Sequence, residues 1–253
     1  RAYADPDFCA FADLYGKGRS DKAAGETILH TYDFLRALPD YDRKLDEFLA
    51  PWKAECGFDK TCWHDLLLAE AARDAKAGRE LFCAALSDCK NDLVLARIEA
   101  ENKGKTAAAR AKGVAGANDK FAEPLERLES AAALLGEVER LAEAGEWTPL
   151  YDRLTPYVLG MEPLPGLKGM KKRLTGEHKA AVKTRADQAA GLFGQILELI
   201  ACSEDEAEAD RLAALPRLQA LFAAVRDFDA RFAAKKQERK LLEFSDFEHQ
   251  ALR

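Results

Sequence analysis

The chain has 253 residues, 48% hydrophobic and 32% charged, with a formal charge of −6. That length supports one large domain or two small ones with a substantial core, and a mean hydropathy of −0.33 without any apolar run of about 18 residues excludes a membrane span. The 16 Gly and 9 Pro exclude a collagen-like chain, and a net negative charge leaves nucleic-acid binding to local basic patches.

The opening run Arg1 to Asp7 lacks the apolar centre of a signal peptide. The chain starts without Met and its last residues still read as helix, so the expectation is a piece excised from a longer protein. Ile28, Leu29, Tyr32, Leu35 and Leu38 follow helical spacing, and Pro39 ends that helix. A shorter helix carries Leu45, Phe48 and Leu49 up to Pro51-Trp52. The next runs from Trp63 to Leu86, and another passes through Leu93 to Ile98. Thr106 to Ala111 is Ala-rich and predicts a helix interrupted by an exposed turn at Gly113 and Gly116. Phe121 to Ala144 is amphipathic, with Leu125, Leu128, Ala132, Leu135, Val138 and Leu141 on one face and Gly145 as its stop.

Four prolines and four glycines between Thr148 and Gly176 permit only a short helix followed by a long exposed loop. Glu177 to Cys202 then reads as one long helix, Glu204 to Leu215 as another, and Pro216 as the first turn of a last helix reaching about Leu242. Ser245-Asp246-Phe247-Glu248 fits a capping box, Ser245 and Glu248 closing the start of a further helix. Strand alternation is nearly absent, and the fold class predicted is all-α, an elongated multi-helix bundle with helices of about 25 residues, or about 37 Å.

Six cysteines include the pairs Cys56/Cys62 and Cys83/Cys89, each with a five-residue gap. Zinc ligands usually stand two to four residues apart, so these predict no metal site but reduced thiols buried on helix faces. Trp52, Trp63 and Trp147 are expected in the core, and neither His30 nor His178 has companion ligands.

The strongest candidate surface is cationic. Between Gly160 and Asp187, seven basic residues (Lys168, Lys171, Lys172, Arg173, Lys179, Lys183 and Arg185) face three acids, a local charge of +4. Such a stretch can bind phosphate oxygens through counterion release, or it is a solvated loop with ordinary surface lysines. Few aromatic residues interleave, so base stacking is not indicated. Arg97 to Lys120 carries +3 but reads as a solvated helix with an exposed turn, not a cleft.

Lys235 to Leu252, KKQERKLLEFSDFEHQAL, resembles a signature of the AddA helicase–nuclease subunits among the UvrD-like superfamily 1 helicases. Phe11 to Asp21 (FADLYGKGRSD), Tyr32 to Pro39 (YDFLRALP) and, more weakly, Val182 to Asp187 (VKTRAD) are similar to other segments of that family. Glu243 and Phe247 depart from the family's Asp and Leu while keeping charge sign and apolar character. The resemblance implies a helical 1B-type insertion of the first motor domain over 1–243, with 244–253 returning to that domain. It also implies a parent protein of the bacterial cytoplasm that is an ATP-dependent DNA helicase and exonuclease in double-strand break repair, using ATP and Mg²⁺. The implied partners are duplex or forked DNA and an AddB-type subunit. The chain has no G-x-x-x-x-G-K-S/T phosphate loop, and it offers no Asp-Glu pair in a strand context. The expectation is an arm without catalysis that guides DNA or, alternatively, docks the partner subunit.

Overall fold

A computed structural model of the chain describes residues 5–15, 22–38, 40–53, 57–167, 169 and 174–242. Among them are eight α-helices and no strand: α1 Pro6–Tyr15, α2 Lys22–Arg36, α3 Tyr41–Lys53, α4 Cys62–Lys103, α5 Ala107–Glu143, α6 Trp147–Val158, α7 Lys179–Leu199 and α8 Glu204–Arg239. The all-α multi-helix prediction holds. The helix expected from Asp246, with Ser245 and Glu248 as its cap, lies outside the described residues, as does the segment 244–253. No helix among the described residues is long and apolar enough to cross a membrane.

The chain divides into two units, 1–61 with 205–253 and 62–204. In the first, Phe8 and Phe11 of α1, Tyr32 and Leu35 of α2, Leu45 of α3, and Leu221 and Val225 of α8 share one buried cluster. Burial of Tyr32 pushes its phenol up to about 12, and Tyr41 donates a hydrogen bond to Asp229 of α8. Arg226 of α8 pairs with Asp42 (3.3 Å) and Asp46 (3.0 Å) of α3. Arg211, only 5% exposed, donates to the carbonyls of Pro51 (3.3 Å) and Trp52 (2.8 Å) and pairs with Glu208 (2.7 Å). Its guanidinium thereby satisfies two C-terminal carbonyls of α3 that have no partner within the helix.

The second unit is organised by a regular seam. On α4 the buried positions include Leu68, Ala71, Ala75, Gly78, Phe82, Ala85, Cys89 and Asp92, steps that alternate three and four, with His64 and Asp74 buried beside them. On α5, Ala117, Phe121, Pro124, Leu128, Ala131, Leu135, Val138 and Ala142 repeat the pattern, and Val182, Ala186, Ala189, Phe193 and Ile196 continue it on α7. A 3.5-residue period is that of helices packed as a coiled coil. Cross-links fix the directions: Arg79 bonds Glu139 and Lys90 bonds Glu129, so α5 runs antiparallel to α4. Arg185 bonds Asp88 and the residues around Gly78 meet Leu192, so α7 is antiparallel to α4 as well. Small residues let α4 approach closely. A Cβ on Gly78 would lie 2.8 Å from Leu135 Cδ1 and 3.6 Å from the Ala189 carbonyl.

The helices are longer than the sequence reading in three places. α4 is one helix of 42 residues, about 63 Å, not two pieces, because the polar run Ser87 to Asp92 contains no breaker and its acids find partners on α7. α5 runs unbroken through Gly113 and Gly116; the roughly 1 kcal/mol that a helical glycine forfeits against alanine is set against close packing, since a Cβ on Gly113 would stand 3.0 Å from that of Ala100. α8 passes through Pro216, which strands only the carbonyl of Leu212, an exposed residue where water can serve it. The buried face of α5 is also rotated: Phe121 and Ala131 are buried, while Leu125 and Ala132 are only half-buried.

Candidate functional site

The cationic stretch is framed by two anchored ends. α6 stops in a Schellman turn, with Gly160 (φ +67°) donating to the Tyr157 carbonyl (3.1 Å) and Met161 donating to that of Pro156 (2.8 Å). The chain then returns toward α7. Gly166 (φ +122°) sits where a Cβ would touch the Phe82 ring and the Ala186 carbonyl at 3.6 Å, and Leu167 and Leu174 are both buried. These leucines bracket Lys168, Lys171, Lys172 and Arg173, which lie outside the described residues.

The far end of the loop is held by a buried carboxylate. Asp92 of α4 is 2% exposed and accepts from the His178 backbone N–H at 3.1 and 3.2 Å. His178 Nδ1 stands 2.8 Å from Asp92 Oδ1; since a carboxylate only accepts, that nitrogen carries the proton. Gly176 (φ +114°) packs so closely that a Cβ there would overlap the carboxylate. Asp92 thus supplies from a neighbouring helix the N-terminal cap that α7 lacks locally, with its negative charge at the positive end of the helix dipole. His178 is one half of this latch.

The basic residues described on α7 divide. Lys179 and Lys183 are exposed one turn apart and carry no ion pair among the described residues. Arg185 is half-buried and pairs with Asp88 of α4, so its charge is matched within the fold. Asp88 and Asp92, absent from the sequence reading, are recognisable as acids on the α4 face that carries the seam.

The second basic stretch departs from expectation. It forms the hairpin between α4 and α5, where Thr106 caps α5 by accepting from the Ala109 N–H (3.2 Å). Arg97 donates to Asn118 (2.7 Å), Arg110 to the Gly104 carbonyl (3.2 Å), and Lys103 pairs with Glu99 (3.1 Å). In place of the exposed turn at Gly113 and Gly116, α4, α5 and residues Thr175–Glu177 enclose a groove of about 680 Å³.

The cysteines and tryptophans are also redistributed. Cys89 is buried, and burial pushes its thiol up to about 11, whereas Cys62 and Cys83 are exposed, contrary to the buried reading. Trp147 is buried and donates to the Cys202 carbonyl (3.2 Å), while Trp52 and Trp63 are only half-buried. Among the described residues no three His, Cys, Asp or Glu side chains are grouped to hold a metal ion.

No protein-family model matches the chain. It is similar to the AddA-type subunit of the ATP-dependent helicase/nuclease from Acetivibrio thermocellus, 22% identical over 246 residues and 96% of this chain. The corresponding subunits from Ruminiclostridium cellulolyticum and Geobacillus thermodenitrificans are 24% and 26% identical over 98% and 97% of it. The chain spans only 17–18% of the length of these curated relatives. It is therefore a distant relative, across nearly its whole length, of one segment of the AddA-type helicase/nuclease subunit.

Proposed function

We propose that this chain is the helical 1B-type insertion of an ATP-dependent DNA helicase and exonuclease that processes double-strand breaks for recombination. On this reading residues 1–243 are the insertion and 244–253 lead back to the first motor domain. The piece guides duplex or forked DNA and performs no catalysis. ATP and Mg²⁺ are then held by the rest of the parent protein, which works in the bacterial cytoplasm with an AddB-type partner.

The observation that carries the DNA-guiding role is the placement of Lys179 and Lys183. Both are exposed, without an ion pair among the described residues, and follow closely on the segment holding Lys168, Lys171, Lys172 and Arg173. Six phosphate contacts give a salt slope of about −5 in log K against log [salt]. Titration of a labelled DNA fork across salt concentrations tests this, with a slope reduced by about 2 expected in Lys179→Ala/Lys183→Ala. Absence of binding at low salt, or a slope unchanged in both this variant and Lys171→Ala/Lys172→Ala/Arg173→Ala, refutes the role.

A second reading, an arm that docks the partner protein without touching DNA, is favoured by the exposed Leu159 and Met161 after α6, the latter 75% exposed. It requires that Leu159→Asp/Met161→Asp disrupt assembly of the parent complex while charge reversal of the basic loop leaves unwinding intact.

A further inference from the structure

The three-helix seam of the second unit stops abruptly on one side. α7 begins at Lys179, opposite Asp92, whereas α4 continues to Lys103 and α5 begins at Ala107. Among the described residues, the hairpin beyond Asp92 is therefore a two-helix tip, and the groove lies along it where a third helix would pack. Its accessible apolar surface comes from Leu95 and Ile98 of α4, 42% and 48% exposed, over a floor closed by the buried Ala117 and Phe121 of α5. Gly116 lies on its wall, and a Cβ added there meets nothing within 4 Å, so the glycine leaves room over the apolar floor.

Charge identifies the kind of helix that fits. Lys112 and Lys120 stand eight residues apart along the α5 edge, both exposed and without an ion pair among the described residues. Of the acids around the groove, Asp92 is engaged by His178 and Glu99 by Lys103, which leaves Glu177 at one end. An apolar strip edged by unmatched lysines complements a helix whose apolar stripe is flanked by carboxylates. A nucleic-acid strand could use the lysines but would leave the exposed Leu95 and Ile98 without apolar contact.

We propose that the α4–α5 hairpin tip is a docking groove for an acidic amphipathic helix of a partner protein, which packs as the third helix of the bundle beyond the start of α7. The open stretch from Asp92 to Lys103 is about 16 Å long and matches about three turns of helix. The groove adjoins the end of the basic loop at Thr175–Glu177 but contains none of its basic residues and neither Leu159 nor Met161, so variants at Gly116, Lys112 and Lys120 test it apart from the DNA-guiding and assembly roles.

The test uses the 253-residue chain and a labelled peptide of about 14 residues containing only Leu, Ala and Glu, with Leu at third and fourth positions. Fluorescence anisotropy is expected to show binding that weakens at least about tenfold in Gly116→Gln and in Lys112→Glu/Lys120→Glu. The same loss is expected when Gln replaces Glu in the peptide. Gly116→Gln fills the groove with a neutral, helix-favouring side chain that meets no neighbour at Cβ, so thermal melts should show it as stable as the parent. No binding, or binding indifferent to Gly116→Gln, overturns the proposal. So does competition by a DNA duplex that Lys112→Glu/Lys120→Glu abolishes and Gly116→Gln leaves untouched, or sedimentation showing a dimer that Gly116→Gln dissolves, which would assign the groove to a second copy.

Discussion

Replacing Asp92 by alanine tests the latch that starts α7. The carboxylate is 2% exposed and accepts from the backbone N–H and Nδ1–H of His178. Its removal leaves a part-buried backbone donor without an acceptor, about 1–3 kcal/mol, and removes a negative charge from the first turn of α7, up to about 1 kcal/mol. The expected loss for Asp92→Ala is about 2–4 kcal/mol in urea unfolding followed by far-ultraviolet circular dichroism. Asp92→Asn keeps one acceptor oxygen and should lose about 1–2 kcal/mol; His178→Ala keeps the backbone bond and should lose about 1 kcal/mol. Native-state hydrogen exchange should speed up selectively at the first-turn amides of α7, because the damage begins there. A loss below about 0.5 kcal/mol for Asp92→Ala, with α7 exchange unchanged, would refute this account of the helix start.

Two further predictions concern buried ionisable groups. The Cys89 thiol is raised to about 11 from an ordinary value of 9.0 by burial, so the folded state holds the proton more tightly. Its contribution, about 3 kcal/mol, is complete below pH 9 and is lost as pH rises toward 11; melts of Cys89→Ala across that range should fall less steeply than those of the parent, and equal slopes would remove the thiol from the explanation. Arg211→Ala should destabilise the first unit by about 2–4 kcal/mol, because two α3 carbonyls lose their donor and Glu208 loses its partner. Arg211→Lys should rescue little, since one ammonium does not reproduce the fork; full rescue in urea unfolding would contradict the capping role.

Helix identity was legible wherever apolar spacing was strong, and the reading placed the end of α2 and both ends of α7 to within a few residues. Helix continuity was harder to read. Gly113, Gly116 and Pro216 are locally unfavourable in helices, yet α5 and α8 run through them. At Gly113 the decisive neighbour is Ala100, on the facing helix of the hairpin, a contact no local window contains. The same limit hid the candidate sites. Lys179, Lys183 and Arg185 are indistinguishable as basic residues on one helix, but Asp88, 97 positions before Arg185, neutralises one and not the others. The 3.5-residue spacing of Leu68 through Asp92 was present in the sequence, diluted by alanines and a glycine, and recognising it would have marked Asp92 as a charge on a buried seam that requires a partner.

The basic residues of the second unit differ in whether the fold matches their charge. Arg79, Lys90, Arg153 and Arg185 along its shaft are each matched by a carboxylate. Lys105, Lys112, Lys120, Lys179 and Lys183 carry no ion pair among the described residues, and all five fall at the end where α4 stops, α5 starts and α7 starts. Binding of DNA there rests on counterion release and should collapse with salt across its whole range. Binding of an acidic helix in the groove rests partly on burying Leu95 and Ile98, so part of it should survive at about 0.5 M salt, where the Debye length is only about 4 Å. Ionic strength therefore separates two ligands that would meet the same end of the protein, and a peptide whose affinity fell as steeply as that of DNA would be held by charge alone, leaving the apolar floor without a role.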